Sequence, residues 1–324
     1  MTTNSETRVE NLQQNAVLLS VERGRLRTRK RVSSSSVQSD TDPNLLHVSK
    51  DILESEQLDA VAQVLSRTSN YLNRVCLPGP FRAGMYLLPV KLIPEATKRL
   101  DEERSAFTRA VADFMAFYQT AHAFATADDE TADQLLADNP VLAPFADSKA
   151  RLGSLWNPSD YPQPAQVQAK FLFEYALMEM QTPGKLKSVS KELYQREMAK
   201  IQNVWEGATD KIASVLLEEF QGLTRHLADR LTPDADGNAK TLRTSTMKKM
   251  NDWLALFAAR NLASDEQLAA MVEKARRLVN GIDQETIRES DALRTELAQD
   301  FQSLAAEVTQ AVIDRPARRM DFTE

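Results

Sequence analysis

The sequence contains little of what disulfide-stapled domains, cysteine metal sites and turn-rich β folds require. Its single cysteine, Cys76, cannot form an internal disulfide, and such sparse cysteine usage is typical of a reducing compartment. Glycine and proline number 9 and 13 in 324 residues, and aromatic residues make up 6%. Because turn-rich barrels and sandwiches need more glycine and proline than this, the composition favours a mainly α fold.

The chain also lacks a long apolar run and an excess of positive charge. No stretch approaches the roughly 18 consecutive apolar residues of a membrane helix, and the opening MTTNSETRVENLQQN is not in the basic-then-apolar order of a signal peptide. The net charge of −6 argues against a surface that coats nucleic acid, since that affinity comes mostly from Lys and Arg. We therefore expect a cytoplasmic protein with no membrane partner.

Apolar residues recur with helical spacing in three long segments. A stripe of Phe, Tyr and Leu begins after Pro94, and a second stripe runs through residues 188–231. A single helix over 188–231 would span ~66 Å, so it needs a partner along its apolar face. Residues 284–314 carry a matching stripe. These patterns predict a mainly α fold, an extended antiparallel bundle of coiled-coil-like long helices with a small β element.

Shorter elements are predicted between the long helices. One or two helices are expected over 49–75 with Ser49 as N-cap, and two more meet near Ala263, the second capped by Ser264. Prolines and glycines predict an irregular segment over 76–94. Residues 170–180 read as a strand, because Phe and Tyr alternate along them.

The predicted domain organisation is simple. Residues 1–14 are expected to be a flexible arm, residues 15–315 a single elongated helical domain, and residues 316–324 a tail. The serine-rich stretch 32–43 is predicted to be a mobile loop.

Basic residues dominate the second half of AVLLSVERGRLRTRKR, residues 16–31. The alternation of apolar residues predicts a strand over 15–29, with Gly24 marking a turn or bulge partway along it. If it stays regular, alternate arginines project to one side. The candidate contact residues are Arg23, Arg25, Arg27, Arg29, Lys30 and Arg31, with a second cluster of Arg243, Lys248 and Lys249.

These basic runs have several possible roles. They could bind phosphates, contact an acidic protein, dock on acidic helices of the same chain, or guard an exposed strand edge. No aromatic residue interleaves with residues 22–31 to stack bases. We therefore favour a protein surface, with nucleic-acid binding through residues 23–31 as the alternative.

No catalytic signature is found. His47, His122 and His226 are far apart and lack neighbours at metal-ligand spacing, and the near match TPGKLKS at 182–188 lacks the features of a phosphate-binding loop. Cys76 is best explained as a small buried residue. We predict a protein without enzymatic activity, cofactor or metal, acting as a scaffold or adaptor for a protein partner or by self-association.

Four stretches carry a resemblance to a known family. They are VLLSVERGRLRTRKR, GMYLLPVKLIPEATKRLDEERSAFTRAVADFMAFY, YPQPAQVQAKFLFEY and TLRTSTMKKMNDWLALFAARNLASDEQLAAMVEKARRLV. Their order resembles bacterial and phage proteins of the DUF3150 type, a domain of unknown function. Such proteins are often encoded beside a MoxR-like AAA+ ATPase and a von Willebrand factor A-type (VWA) protein. The resemblance thus implies an accessory to an ATP-driven remodelling machine.

Overall fold

The computed structural model describes residues 2–33, 41–42, 44–179, 187–282 and 284–314. The predicted loop 32–43 and tail 316–324 lie largely or wholly outside these ranges. About 70% of the chain is helical and the strands are few and short, which confirms the predicted mainly α class with a minor β part.

The helices are given in chain order. They are α1 (Thr2–Asn15), α2 (Glu56–Val75), α3 (Ile93–Thr126), α4 (Asp129–Asp138), α5 (Ala143–Leu152), α6 (Pro164–Gln168), α7 (Lys191–Leu231), α8 (Thr244–Arg260), α9 (Glu266–Val279), α10 (Gln284–Glu289) and α11 (Asp291–Asp314).

Two antiparallel β elements accompany the helices. The strands are β1 (Ala16–Gly24), β2 (Arg29–Val32), β3 (Val48–Asp51), β4 (Leu77–Pro78), β5 (Met85–Pro89) and β6 (Leu172–Met178). One sheet has the order β4-β5-β1-β6, and the other consists of β2 and β3.

The chain divides into two compact units, whereas the sequence predicted one domain over 15–315. Unit 1 comprises Met1–Ser20, Arg74–Ile93 and Leu177–Glu324, and unit 2 comprises Val21–Asn73 and Pro94–Ala176. Helical periodicity reports which face of a segment is buried but not which segments share a core. The division was therefore not visible in the sequence.

The pairing of α7 with α11 forms the centre of unit 1. Gln221 donates to the hydroxyl of Thr309 at 3.2 Å, and Gln302 donates to that of Thr232 at 2.8 Å. Since one residue number rises as the other falls, the two helices are antiparallel, as predicted for these segments. Their facing side chains are buried, including Trp205, Ala208, Ile212, Leu216, Phe220 and Leu227 on α7 and Leu297, Phe301, Leu304 and Val308 on α11.

Residues of the N-terminal segment, for which the sequence predicted a flexible arm over 1–14, contribute to this core. They form α1, on which Leu12 is fully buried and Val9 nearly so. Arg8 Nε donates to the carbonyl of Ala263 at 3.0 Å. The segment has few apolar residues, and its low apolar content concealed a helix whose partners, among them Asp210 and Ala263, lie far along the chain.

Short strands replace the irregular segment predicted over 76–94. Within unit 1, β5 pairs with β1 in the register Leu18↔Leu87, and β4 pairs with β5 through Leu77↔Leu87. Leu18 and Leu19 are both buried, so β1 is covered on both faces. Pro78 and Pro89 are the last residues of β4 and β5, and strand ends tolerate proline.

Helix ends in unit 1 differ in detail from prediction. The carboxylate of Asp265, rather than Ser264, caps α9 by accepting from the amide of Leu268 at 2.9 Å. Ser264 instead occupies the left-handed region at φ 52°, and the chain turns there between α8 and α9. The C-terminal segment is split at Ser290, whose hydroxyl accepts from the amide of Leu293 and caps α11.

Helices α2 and α3 supply most of the core of unit 2. The long α3, starting one residue before Pro94, confirms the predicted helix, and it buries Leu100, Phe107, Phe114 and Tyr118. Helix α2 begins later than expected, because Ser55 rather than Ser49 caps it by accepting from the amide of Leu58 at 3.1 Å.

Gly24 marks where β1 ends. A Cβ at this position would lie 2.7 Å from the carbonyl oxygen of Lys170 and 3.3 Å from Cβ of Leu172, so only glycine fits there without a shift. Beyond Gly24 the chain leaves the four-stranded sheet and re-enters strand structure at Arg29. The sequence predicted a strand over 15–29 with a turn or bulge at Gly24; the strand does end at Gly24, and residues 25–28 lie outside strand structure.

Candidate partner-binding groove

The six basic residues of the 23–31 run do not act as one surface. Arg23 turns inward, where its Nη1 donates to Ser69 Oγ at 2.6 Å and to the carbonyl of Leu65 at 3.3 Å, both on α2. This arginine secures the end of β1 to a helix of the same unit. It is not available for a partner.

The other arginines form an exposed row. Residues 25–32 alternate between exposed and half-buried positions, and Arg25, Arg27, Arg29 and Arg31 occupy the exposed ones. Alternation with period two is the geometry of an extended chain, in which alternate side chains share a face about 6.6 Å apart. We call these four side chains the arginine row.

Two of the four arginines in the row have a charged or polar side-chain partner among the described residues. Arg29 Nε lies 3.7 Å from a carboxylate oxygen of Asp51, a loose pair in which both side chains are about half exposed or more. Arg31 Nη2 lies 3.0 Å from His47 Nδ1, and since a guanidinium only donates, the imidazole nitrogen accepts. Arg25 and Arg27 have neither an ion pair nor a side-chain hydrogen bond within the described residues.

The row lines a groove of about 940 Å³ in unit 2. Its acidic wall comes from the end of β3, the segment after it and the first turn of α2, with the carboxylates of Asp51, Glu54 and Asp59. Four arginines face three carboxylates, so the groove has an excess of one positive charge with His47 neutral. Apolar side chains, among them Leu53 and Leu58, form part of its lining.

Three contacts hold the β2–β3 sheet against the body of unit 2. Lys50 Nζ lies 2.6 Å from a carboxylate oxygen of Asp160, with both side chains largely buried. Tyr161 Oη donates to the carbonyl of Ile52 at 2.7 Å. Arg151 donates to Glu54 at 2.9 Å.

The base under these contacts is aromatic. Tyr161 packs on Trp156 and Phe145, with ring centroids 4.8 and 5.3 Å away, and burial raises its pKa. Aromatic packing of this kind fixes side-chain positions. The groove is therefore built on a firm support rather than on free loops.

Lys30 does not belong to the row. It is half-buried and lies opposite Lys50 in the β2–β3 register, so it points to the face away from the arginines. The sequence grouped it with its neighbours because charge alone does not reveal which face of a strand a residue occupies.

The second predicted cluster is in unit 1. Lys248 pairs with Asp252 one turn along α8 at 2.8 Å, while Arg243 and Lys249 are exposed and have no ion pair in the part of the chain that the structure describes. This cluster resembles an ordinary solvated helix start.

Cys76 and the histidines assemble no reactive centre among the described residues. The thiol of Cys76 is buried, and this burial raises its pKa to about 12, partly offset by the charge of Arg260. It is therefore protonated at neutral pH. Apart from the Arg31 contact of His47, His122 lies beside Tyr118 and His226 is exposed. The described ranges hold no cluster of three or more His, Cys, Asp or Glu side chains suited to a metal ion.

Sequence reasoning missed the acidic wall of the groove. Asp51 and Glu54 fall in a stretch assigned to the start of a helix, and Asp59 looked like one more solvated helix residue. The opposite charges of the RTRKR and SKDILE stretches are a signal that could have suggested their pairing.

Comparisons with known proteins identify no similar family, protein or structure. The chain matches no protein-family model, no curated protein and no solved structure. Within the described ranges, every helix is too short or too polar to cross a membrane.

Proposed function

We propose that the chain is a non-enzymatic scaffold or adaptor that binds a protein partner through the arginine groove of unit 2. The observation that carries this proposal is the arginine row itself, in which Arg25 and Arg27 are exposed and have no ion-pair partner among the described residues, beside a firmly supported sheet. Exposed guanidinium groups on an extended segment between two strands are well placed to bind carboxylates in a bidentate manner. The sequence resemblance described above suggests a MoxR-like AAA+ ATPase or its VWA companion as the partner.

Three features favour a protein over a nucleic acid. Three carboxylates line the groove together with the arginines, which lowers its attraction for a continuous polyanion such as a nucleic acid. Neither Phe, Tyr nor Trp lines the groove in the described structure, so bases have no stacking platform there. The net charge of −6 opposes approach of a polyanion.

The test compares two double variants of equal charge. Arg25→Gln with Arg27→Gln removes two unpaired guanidiniums from the groove, and Lys248→Gln with Lys249→Gln removes two charges from unit 1. In a tagged pull-down from the native host, wild type and the lysine variant should retain the ATPase, identified by mass spectrometry. The arginine variant should bind it about fivefold more weakly, since exposed charge pairs contribute about 0.5 kcal/mol each.

A gel-shift titration at two salt concentrations addresses the nucleic-acid alternative. We expect negligible duplex binding at physiological salt for all three proteins. Tight, salt-sensitive binding that is lost in the arginine variant would overturn the proposal, because each phosphate contact adds about 0.9 to the log-log salt slope. A dimer that dissociates in the arginine variant would also overturn it, since the partner would then be a second copy of the chain.

A further inference from the structure

We infer that the partner binds as an added β-strand: an acidic, extended peptide segment pairs with the outer edge of β2 and places its side chains beside the arginine row. This inference rests on the proposed function and names the form of the ligand. It follows from the backbone of β2 together with the charges of the arginine row.

The alternation of hydrogen bonds along the β2–β3 ladder leaves backbone groups on the outer edge of β2 without a partner among the described residues. The amide of Ile52 donates to the carbonyl of Thr28 at 3.0 Å, and the register continues with Arg29↔Asp51 and Arg31↔Ser49. In an antiparallel ladder only every second residue exchanges hydrogen bonds with its partner. The amide and carbonyl groups of Arg29 and Arg31 therefore point away from β3, and no residue in the described ranges bonds to them.

Open strand edges recruit further strands by backbone hydrogen bonding. A two-stranded sheet is also marginal by itself, so a third strand stabilises it. The outward groups of Arg29 and Arg31 offer two donors and two acceptors, at the pitch that another strand requires.

The side chains determine which strand can join. Cross-strand neighbours on one face lie about 5 Å apart, so an incoming strand places every second side chain beside an arginine of the row. A second copy of β2 would bring arginine against arginine and is repelled. A segment with Glu or Asp at alternate positions is attracted instead. The charges thus exclude self-pairing and admit an acidic strand.

The test uses a ten-residue peptide of alternating Glu and Thr, with a fully N-methylated copy as control. We expect the unmodified peptide to slow amide hydrogen exchange at Arg29 and Arg31 by about tenfold, since hydrogen bonding protects amides from exchange. The amides of Lys30 and Val32 face β3 and serve as an internal reference. The N-methylated peptide, which lacks donors and disfavours strand pairing, should leave all four unchanged.

Two substitutions at one position separate backbone from charge. Arg31→Gln removes only the guanidinium, whereas Arg31→Pro also removes the outward amide, and proline is tolerated at an edge when its nitrogen faces solvent. We expect Gln to weaken peptide binding about threefold and Pro by about a further fivefold. Retained protection at Lys30 and Val32 verifies that the Pro variant keeps its ladder.

The outcomes distinguish this inference from the proposed function. If the Arg25/Arg27 variant loses the ATPase but the peptide leaves the exchange of Arg29 and Arg31 unchanged, the groove binds a partner and strand addition is wrong. Equal binding by the Pro and Gln variants would overturn strand addition in the same way. If the double variant also keeps its partner, both ideas fail.

Discussion

At the scale of single residues, one buried charge cluster dominates unit 1. The side chain of Arg260 is 1% exposed and makes two hydrogen bonds to Glu219, at 2.6 and 2.9 Å. Trp253 Nε1 donates to the same carboxylate at 2.7 Å. A buried guanidinium is tolerated only when its charge is matched, so Glu219 is essential to the packing of α8 on α7.

Glu219→Ala should lower the free energy of unfolding by about 3 kcal/mol, because it leaves Arg260 buried without its counter-charge. Urea denaturation followed by tryptophan fluorescence measures this. Glu218→Ala, an exposed neighbour on the same helix, should change stability by less than about 0.5 kcal/mol. Equal effects of the two substitutions would show that the pair contributes nothing.

Replacing both charged residues of the cluster together should cost less stability than replacing Glu219 alone. Apolar substitution of both partners, Glu219→Leu with Arg260→Met, removes the buried charges together and should recover most of the lost stability. A double variant no more stable than Glu219→Ala would mean that the residues act through packing rather than charge.

Cys76 predicts a pH dependence of stability. Its thiol has a pKa near 9 when exposed and about 12 in the fold, because burial disfavours the thiolate. Above pH 9 the unfolded chain loses this proton while the folded chain keeps it. The contribution of the protonated thiol to the free energy of unfolding is therefore fully present below pH 9, and it is lost as the pH rises towards 12.

Cys76→Ala removes this decline. The stability advantage of wild type over the variant should shrink by about 2 kcal/mol between pH 8 and pH 10.5, and other titrating groups cancel in the difference. Urea denaturation at the two pH values gives the result. An advantage that stays constant would contradict a buried, protonated thiol.

At the scale of elements, the end of α7 is held by a side chain from α11. The guanidinium of Arg294 donates to the carbonyls of Leu231, Arg230 and Lys240 at 3.0, 2.7 and 2.6 Å. Carbonyls at a helix C-terminus have no partner within the helix, and a cation there also interacts favourably with the helix dipole.

Arg294→Met should destabilise unit 1 by about 2–3 kcal/mol, since it leaves buried carbonyls unsatisfied. Amide exchange should accelerate most in the last turn of α7 and after it. Arg225→Met, which alters an exposed arginine of α7, is the control. Uniform acceleration along α7 would instead indicate general loss of packing.

The long elements could be predicted from the sequence and the short ones could not. Helices α3 and α7 bury one stripe over many turns, so their periodicity is unmistakable. Strands β2 and β3 have four residues each, too few for a periodic signal, and their pairing decides that Ser55 rather than Ser49 caps α2. The arginine row was found from charge alone. Arg23 turns inward and Arg25 is exposed, because β1 ends at Gly24 between them.

At the scale of the whole molecule, the helix content is directly measurable. Far-UV circular dichroism should give a helical fraction near 70%, about twice that of an average globular protein. A spectrum dominated by strand would contradict the fold described above.

The contact between Arg8 and Ala263 has a consequence for how the protein is made. The two residues are 255 positions apart, and ribosomes add roughly 5–20 residues per second, so α1 waits about 13–50 s for this contact. Unit 2 needs nothing beyond residue 176. A nascent chain can therefore complete its second unit while α1 still lacks the contact with residue 263.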